Sequence, residues 1–478
     1  MKRFFKFALV AVLNTLVAIS VGCDTSTVQN AGENDKRHPD DIRIAGLEFV
    51  PCKPDFGGEA CVEMAMGIHG NTLDQDFVFD QSGVDPMEGR GCTTRELLGA
   101  IKTLRVDPGQ VWIPVDPNDP EAQFMQQMNE LKNDLQQNVP WIVCLKTDEG
   151  EKFMLVTGMN LKTNELLLHN PNVIEGAFSR VSLRQFAKSW QFTDETGKGV
   201  YIKFRMKGSP LEAAPATEFT NADYAQHIRK LKAKMPEGDF KIVIQKPFVV
   251  VGDEELETVK RRAENTVGWA VTKLKRSYFT KDPKYILDVW LFKDKTSYET
   301  NAKELFGRVP GTPYGYYSSY HRSLVMNIST GGGTLVHEIV HPFIENNFED
   351  CPSWFNEGLA SLYEQSTERN GGIWGSTNWR LRGLQLAIQD DRVPAFATLF
   401  STTRDEFYDE DPGTNYAQGR YLCYYLQERG KLVEFYTTFR DNVGTDPTGI
   451  GSLRKVLGTN DLDRFKKQWE QYVLKLRF

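Results

Sequence analysis

The sequence predicts an α+β fold, because strand and helix patterns both occur in its second half and helical patterns continue to its end. Residues 242–244, 248–251 and 285–292 are short runs of β-branched and other apolar residues, which favour strands. An amphipathic helix pattern covers residues 254–278, and the pattern is helical from residue 377 to residue 478. We therefore expect a small mixed sheet followed by a C-terminal helical bundle.

Between the sheet and the bundle lies a pair of histidines in a helical pattern. The apolar residues of 334–347 predict a helix on which His337 and His341 lie one turn apart on the same face. Two imidazole nitrogens at this spacing can bind one zinc ion, with Glu338 beside them as a general base. A second short helix follows, on which Glu357 would be the third ligand. Two histidines and one glutamate leave a fourth position for water, which is typical of catalytic zinc sites.

The alternative interpretation of this motif is a surface helix with two solvated histidines. Apolar residues such as Leu335, Ile339 and Phe343 argue against it, because they indicate a helix with polar side chains pointing into a buried region. Buried histidine and glutamate side chains without a partner are costly, and a metal ion removes that cost. Pro342 directly follows the second histidine and disfavours helical geometry there, so we expect a kink at this point.

The two segments resemble the gluzincin metallopeptidases, and more closely the bacterial proteins described as peptidase MA-like. The pattern of that family is a strand, an HExxH helix, a P-x-W-x-x-E-G-x-A helix and a helical bundle. TLVHEIVH at 334–341 and PSWFNEGLA at 352–360 match it residue by residue, within a resemblance covering about half of the chain from near Lys241. The resemblance implies that the two histidines and Glu357 bind zinc, and that Glu338 activates a water for attack on a carbonyl.

The resemblance also implies a protein donor for the developing oxyanion, besides the metal. Related folds bring a tyrosine from the helical half over the metal, and Tyr416 is the candidate here. An aromatic residue packed at the start of a helix is an equally good interpretation of Tyr416. His321 is the other candidate donor, although a histidine in that place is more often part of an ordinary loop or strand.

Residues 320–328 predict a strand, because Leu324, Met326 and Ile328 alternate along it. In gluzincins an edge strand in this place pairs with an extended peptide substrate by strand addition. The exopeptidases of the clan carry a G-x-M-E-N motif that captures a free amino terminus, and the sequence has no such motif. The resemblance therefore implies an endopeptidase.

The first half of the chain resembles papain-like cysteine peptidases of the bacteriocin-processing type. FGGEACVEMAM at 56–66 is similar to the first helix of that family. KFMLVTGMN at 152–160 and LLLHNP at 166–171 are similar to its strands, and LRQFAKSW at 183–190 to its closing helix. The order and spacing of these segments carry the resemblance, which spans about residues 46–206.

Every catalytic position of that family is changed in this sequence. Gly57 stands at the nucleophile position, Lys152 at the position of the histidine base and Asn170 at that of the orienting aspartate. Since thiolate chemistry needs a cysteine beside a basic imidazole, we expect an inactive domain that binds peptide or another envelope component. The alternative is a shifted register in which Cys61 and His169 form a Cys-His pair.

The first residues of the chain predict export. Residues 1–6 are basic and residues 7–21 are largely apolar, which is typical of a secretory signal peptide and too short for a confident membrane span. SVGC at 20–23 resembles a bacterial lipobox with Ser20 in place of the usual leucine. We expect a protein outside the cytoplasm, in the periplasm or at the cell surface, with a lipid anchor at Cys23. Ordinary cleavage with release is the alternative.

Composition and cysteine content agree with this location. The net charge is −7 and no basic run occurs, which argues against a nucleic-acid partner. Six cysteines follow the lipobox, an even number that permits disulfides in an oxidising compartment. Cys52, Cys61 and Cys92 could supply one bridge, whereas Cys144 and Cys423 lie in apolar runs typical of buried thiols.

The expected organisation is therefore a signal peptide, a tether, two domains and a linker between them. The bounds are 1–23 for the signal peptide, 24–45 for the tether, 46–206 for the cysteine-peptidase-like domain, 207–238 for the linker and 239–478 for the zinc peptidase domain. The expected function is zinc-dependent hydrolysis of a peptide or protein substrate. The alternative is a non-catalytic envelope lipoprotein that binds peptide or protein partners through a degenerate peptidase scaffold.

Overall fold

The computed structural model describes residues 40–173, 178–208 and 218–478. The predicted signal peptide, the lipobox with Cys23 and most of the predicted tether lie outside the described residues. Among the described helices, none combines the length and the apolar character that a membrane span requires.

Helices and strands follow one another along the whole described chain. The elements up to residue 208 are β1 (Asp41–Arg43), α1 (Gly57–Gly67), α2 (Gln75–Asp80), α3 (Thr94–Thr103), β2 (Trp112–Pro114), α4 (Pro120–Gln136), β3 (Trp141–Thr147), β4 (Gly150–Asn160), β5 (Glu165–His169), β6 (Ser179–Ser182), α5 (Leu183–Trp190), β7 (Gln191–Thr193) and β8 (Gly199–Arg205). The next elements are α6 (Asn221–Lys234), β9 (Lys241–Gln245), β10 (Phe248–Gly252), α7 (Leu256–Arg262), α8 (Trp269–Ser277), β11 (Leu287–Phe292), α9 (Lys295–Phe306), β12 (Gly315–Ser318) and β13 (Ser323–Asn327). The last are α10 (Gly333–Asn347), α11 (Ser353–Leu362), β14 (Ser366–Arg369), β15 (Gly372–Gly375), α12 (Arg380–Gln389), α13 (Phe396–Phe400), α14 (Arg404–Asp409), α15 (Pro412–Glu428), α16 (Leu432–Asn442), α17 (Ile450–Leu457) and α18 (Leu462–Val473).

These elements confirm the predicted α+β class, with antiparallel and mixed sheets and a helical C-terminal region. They divide into two compact units. The first unit comprises the described residues up to Pro51 together with Pro108–Lys207, and the second comprises Cys52–Asp107 and Gly208–Phe478. The segment 46–206, predicted as one domain, therefore contributes residues to both units.

The first unit is built on an eight-stranded antiparallel sheet. Its main strand order is β2-β8-β3-β4-β5-β6, with β1 paired to β4 and β7 paired to β8. A cluster of aromatic side chains packs on this sheet, including Trp190 stacked on Tyr201 with ring centroids 4.4 Å apart. β1 lies in the predicted tether, but its backbone is antiparallel to β4, so the end of that segment belongs to the sheet.

Helix α6 connects two parts of the second unit. It begins with a capping box formed by Thr220 and Asp223 and buries its apolar face in a core cluster with the sheet strands. From the other part, the Asp80 carboxylate accepts a hydrogen bond from the Ala222 N–H (2.9 Å), and the Gln226 amide donates to the Pro54 carbonyl (2.8 Å). The predicted linker 207–238 therefore contains a packed helix.

The larger sheet of the second unit is mixed and has five strands in the order β12-β13-β11-β10-β9, and β14 and β15 form a separate pair. The three central strands are parallel, and β9 and β12 add antiparallel edges. The strand predicted at residues 320–328 is confirmed as β13, but the expectation that it forms the edge of the sheet is wrong, because β12 covers it. A tight turn at residues 319–322, with Arg322 at a φ of 51°, reverses the chain between these two strands.

Helices α10 to α18 pack on and beside this sheet, and the predicted helical end of the chain is confirmed. Helices α11 and α15 come unusually close, since a Cβ atom added to Gly358 would lie 2.9 Å from the Gly419 carbonyl oxygen. Only glycine at this crossing permits such an approach, and it fixes the position of the residue that precedes Gly358 in α11.

The cysteines of the described structure form no bridge in the predicted cluster, since Cys61 and Cys92 are both free thiols. Cys144 and Cys423 are buried free thiols, as their apolar surroundings predicted.

Candidate metal centre

The two histidines of the HExxH motif lie on α10, which is buried over most of its length. The helix begins at Gly333, where an added Cβ atom would lie 2.1 Å from the carbonyl oxygen of Glu364. Glycine there allows the start of α10 to meet the end of α11. Pro342 does not interrupt the helix, which continues to Asn347. The kink expected at this proline therefore does not break the helical structure.

His337, Glu338 and His341 form a buried cluster whose potential ligand atoms all lie within 4.8 Å of one another. Glu357 of α11 completes it. Its Oε2 atom lies 3.2 Å from His337 Nε2, and its Oε1 atom lies 3.9 Å from His341 Nε2. The structure therefore brings together the four residues that the motif singled out, with the Nε2 atoms of both histidines directed at one carboxylate.

The opposite nitrogens of the two rings face oxygen atoms of other residues. His341 Nδ1 lies 2.9 Å from the Asn356 side-chain oxygen, a hydrogen bond in which the ring donates. His337 Nδ1 lies 3.4 Å from Glu364 Oε1, close enough for an ion pair but without a well-aligned hydrogen bond. An acceptor at Nδ1 keeps the proton there and leaves the Nε2 lone pair free for a metal.

Glu364 is in turn held by two further side chains. The Arg380 guanidinium donates to both of its carboxylate oxygens, at 2.8 and 3.1 Å, and the Asn378 amide donates at 2.9 Å. Burial raises the pKa of Glu364, but His337 and Arg380 outweigh it and lower the pKa to about 2. This carboxylate is therefore ionised behind the His337 ring.

The charged groups of the cluster favour a cation at its centre. Burial acts to raise the pKa of Glu357, but His341 and His337 outweigh it and lower the pKa to about 2. Burial opposes protonation of His337, yet the Glu357 and Glu364 carboxylates raise its pKa well above the ordinary value. A buried imidazole between two carboxylates is the environment in which a divalent cation can replace a proton.

The donor set fits zinc. Among the described residues, no well-aligned hydrogen bond reaches the buried Oε2 atom of Glu357, which has the His337 ring as a close neighbour. A buried carboxylate oxygen without a hydrogen bond is costly. Two imidazole nitrogens and one carboxylate are the ligands that catalytic zinc sites use, with a further position left open. His337, His341 and Glu357 would hold the ion, and Glu338 lies beside them with a pKa raised mainly by burial.

Two tyrosines of the helical half lie near this cluster. Tyr408 of α14 donates its hydroxyl to Glu357 Oε1 at 2.6 Å. Tyr416 of α15 packs beside it, with the two rings 6.2 Å apart, and the Arg380 guanidinium lies 5.0 Å from the Tyr416 ring centroid. Burial and the charge of Glu357 raise the pKa of Tyr416, so its hydroxyl keeps its proton.

Sequence reasoning singled out Tyr416 and missed Tyr408. Nothing in the sequence ties Tyr408 to the motif, because it lies 51 positions after Glu357 on a separate short helix. His321, the other predicted donor, lies in the turn before β13 with its ring 4.9 Å from the Phe306 ring. Among the described residues, no hydrogen bond, ion pair or ring contact joins His321 to the two histidines of the motif.

The positions that the papain-like resemblance singled out lie in separate elements. Gly57 begins α1, Lys152 lies on β4, and Asn170 follows β5 directly. Cys61 is fully buried, and burial raises the pKa of its thiol well above the ordinary value. A thiol in that environment lacks the thiolate character of a nucleophile, which argues against an active cysteine hydrolase at Cys61.

No protein-family model matches this chain, and no curated protein matches it.

Proposed function

We propose that this protein is an extracytoplasmic zinc-dependent endopeptidase, in which His337, His341 and Glu357 bind the metal and Glu338 is the general base. The observation that carries the proposal is that the Nε2 atoms of His337 and His341 both face the Glu357 carboxylate, at 3.2 and 3.9 Å, in a buried cluster. Two imidazole nitrogens and one carboxylate that face one another are the ligand set of a catalytic zinc site. An ion there would also satisfy Glu357 Oε2, which no well-aligned hydrogen bond reaches among the described residues.

A zinc ion bound there would supply Lewis acidity for a peptide carbonyl and for a water molecule. The protein's part in the reaction is proton transfer at Glu338. Its carboxylate takes a proton from the attacking water and passes it to the departing amine. Burial raises the pKa of Glu338 above its ordinary value, which suits a group that must both accept and donate a proton.

Tyr416 is the proposed donor to the developing oxyanion. It is protonated, and among the described residues its hydroxyl has no hydrogen-bond partner, so it is available to a substrate. Tyr408 has a different role, because its hydroxyl is already engaged by Glu357. We assign Tyr408 to the orientation of the third ligand and Tyr416 to the oxyanion.

The substrate is proposed to be an extended peptide that adds to the free edge of β12. The Asn327 N–H donates to the Tyr314 carbonyl (2.8 Å), so the backbone groups of residue 314 point towards β13. The N–H and C=O groups of successive residues point alternately to the two sides of a strand. The backbone groups of Gly315 and Tyr317 therefore point away from β13, to the open edge. Strand addition at this edge would deliver a peptide beside Glu338.

The test is metal content and cleavage of a peptide library by the wild-type chain beside Glu338→Gln. Both proteins should hold about one zinc per chain, since Glu338 is not a ligand. The variant should lose hydrolysis by about 10²–10⁴-fold, because the base is gone. Glu434→Gln, at an exposed position on α16, is the matched control and should behave as wild type.

Two other outcomes would point elsewhere. Zinc bound by both proteins without cleavage of any peptide would favour the non-catalytic envelope lipoprotein that binds partners through a degenerate peptidase scaffold. Absence of zinc from the wild-type chain would refute the ligand assignment itself.

Location outside the cytoplasm and a lipid anchor at Cys23 rest on the first 23 residues of the sequence. Incorporation of labelled fatty acid into the wild-type chain, and its loss in the Cys23→Ala variant, tests that part of the proposal.

A further inference from the structure

Tyr317, on the edge strand β12, contacts helix α10 in three ways. The Tyr317 backbone N–H donates to Glu338 Oε2 at 2.9 Å. The Tyr317 ring is stacked on the His341 ring, with centroids 6.3 Å apart and planes 16° apart. Its hydroxyl donates to Glu345 Oε2 at 2.8 Å, one turn further along α10. Tyr317 therefore contacts α10 at Glu338, at His341 and at Glu345, one turn beyond His341.

We infer that Tyr317 is a positioning residue for Glu338, and that its N–H fixes the register in which an extended substrate can pair with β12. This inference rests on the proposed function of the same site. The same carboxylate oxygen, Glu338 Oε2, also lies 3.8 Å from His341 Nε2. The N–H of Tyr317 selects one direction, which places the carboxylate between the edge strand and the histidines.

The side chain of Tyr317 holds the strand in place for that hydrogen bond. β12 has only four residues and lies at the edge of the sheet, so it is fixed by a ladder on one side only. The ring contact with His341 and the hydroxyl bond to Glu345 attach the other side to α10. Burial raises the pKa of the Tyr317 hydroxyl most, and the Glu345 carboxylate raises it further. The hydroxyl therefore keeps its proton and remains a donor.

The hydrogen bond from the Tyr317 N–H to Glu338 limits the backbone groups of β12 with which a substrate can pair. Gly315 and Tyr317 have backbone groups at the open edge, but the Tyr317 N–H is already donated to Glu338. An incoming strand can therefore pair with the N–H and carbonyl of Gly315 and with the carbonyl of Tyr317. Pairing must end where Glu338 takes the place of a substrate carbonyl, and that is where the scissile bond would meet the base.

Tyr317→Pro tests the role of the N–H in catalysis. Proline removes the donor to Glu338, and it leaves the ladder to β13 intact because the N–H of residue 317 points away from that strand. We expect kcat to fall on the order of 100-fold, the cost of a misplaced catalytic group, with KM within about three-fold of wild type and zinc retained. Tyr317→Ala is the matched variant, since it removes the ring and hydroxyl but keeps the N–H, and its kcat should fall by less.

A Tyr317→Pro variant that holds zinc and keeps the wild-type kcat would overturn the inference. If that variant fails to fold, amide hydrogen exchange decides the question without it. In wild type the Tyr317 amide should be protected although it lies at an open edge, and in Glu338→Ala it should exchange at least about ten-fold faster while the Asn327 amide is unchanged. Equal exchange of the Tyr317 amide in the two proteins would also overturn it.

The exchange experiment needs neither metal nor substrate, so it separates this inference from the proposed function. Protection that depends on Glu338 in a chain that cleaves no peptide would refute the peptidase and retain the contact. Cleavage by a chain whose Tyr317 amide is unprotected would retain the peptidase and refute the positioning role.

Discussion

Glu364 Oε1 lies 3.4 Å from His337 Nδ1, while Glu357 Oε2 lies 3.2 Å from Nε2 of the same ring. One imidazole is thus held between two carboxylates, of which one belongs to the proposed ligand set and the other stands behind it. The second carboxylate is fixed by Arg380 and Asn378 and does not depend on the metal for its position. It can therefore orient His337 before an ion arrives.

Replacement of Glu364 by glutamine should weaken zinc binding by about 10–100-fold, as for other carboxylates that support a ligating histidine. Glutamine keeps the size of the side chain but removes the charge that favours a proton at Nδ1. Zinc affinity measured by competition with a chromophoric chelator checks this. Glu434→Gln is the control for loss of an exposed carboxylate. An unchanged affinity in Glu364→Gln would show that His337 is oriented by helix packing alone.

Asn356 has the corresponding role behind the second histidine. Its side-chain oxygen accepts the hydrogen bond from His341 Nδ1 at 2.9 Å. Asn356→Ala should lower zinc affinity by about ten-fold, whereas Asn356→Asp keeps an acceptor oxygen and should bind zinc at least as tightly as wild type. The same competition assay on both variants checks this. Equal losses in both would indicate that the amide N–H₂ group, and not the oxygen, is what matters at this position.

The two tyrosines should separate into one residue that affects binding and one that affects turnover. Tyr408→Phe removes the donor to Glu357 and should lower zinc affinity, with kcat near wild type once the site is saturated with zinc. Tyr416→Phe should leave zinc affinity unchanged and lower kcat by about 10²–10³-fold, the usual effect of losing an oxyanion donor. Steady-state kinetics with saturating zinc distinguish them. If Tyr408→Phe showed the larger loss of kcat, the assignment of the two roles would have to be exchanged.

The centre of the site could be predicted from the sequence because its spacing is local. His337, Glu338 and His341 lie within one helical turn, and the helical period alone puts both histidines on one face. Glu357 required a resemblance between short motifs, since nothing in helical geometry relates two separate helices. The structure places all four side chains in one buried cluster.

The surroundings of the site could not be predicted, because they come from elements without fixed spacing to the motif. Tyr408, Glu364 and Arg380 meet the cluster only through tertiary packing. The apolar alternation of residues 320–328 predicts a strand, and the family resemblance implies that this strand is the edge. β12 has only four residues, follows Pro313 and includes Gly315. A short strand with such residues gives no periodic signal, although it supplies the N–H that contacts Glu338.

The crossing of α11 and α15 gives a prediction about stability. Gly358→Ala would place a Cβ atom 2.9 Å from the Gly419 carbonyl oxygen, so the two helices must separate. We expect a loss of about 1–3 kcal/mol, as for other overpacked sites, together with weaker zinc binding because Glu357 is the adjacent residue. Thermal unfolding and the chelator competition measure the two effects.

Gly383→Ala on α12 is the matched control for this prediction. In the described part of the chain no heavy atom beyond the helix's own backbone lies within 4 Å of a Cβ atom there, and alanine in a helix is more stable than glycine by up to about 1 kcal/mol. Its melting temperature should therefore equal or exceed that of wild type. If Gly358→Ala unfolded at the wild-type temperature with unchanged zinc affinity, the close approach of α11 and α15 would not be what fixes the third ligand.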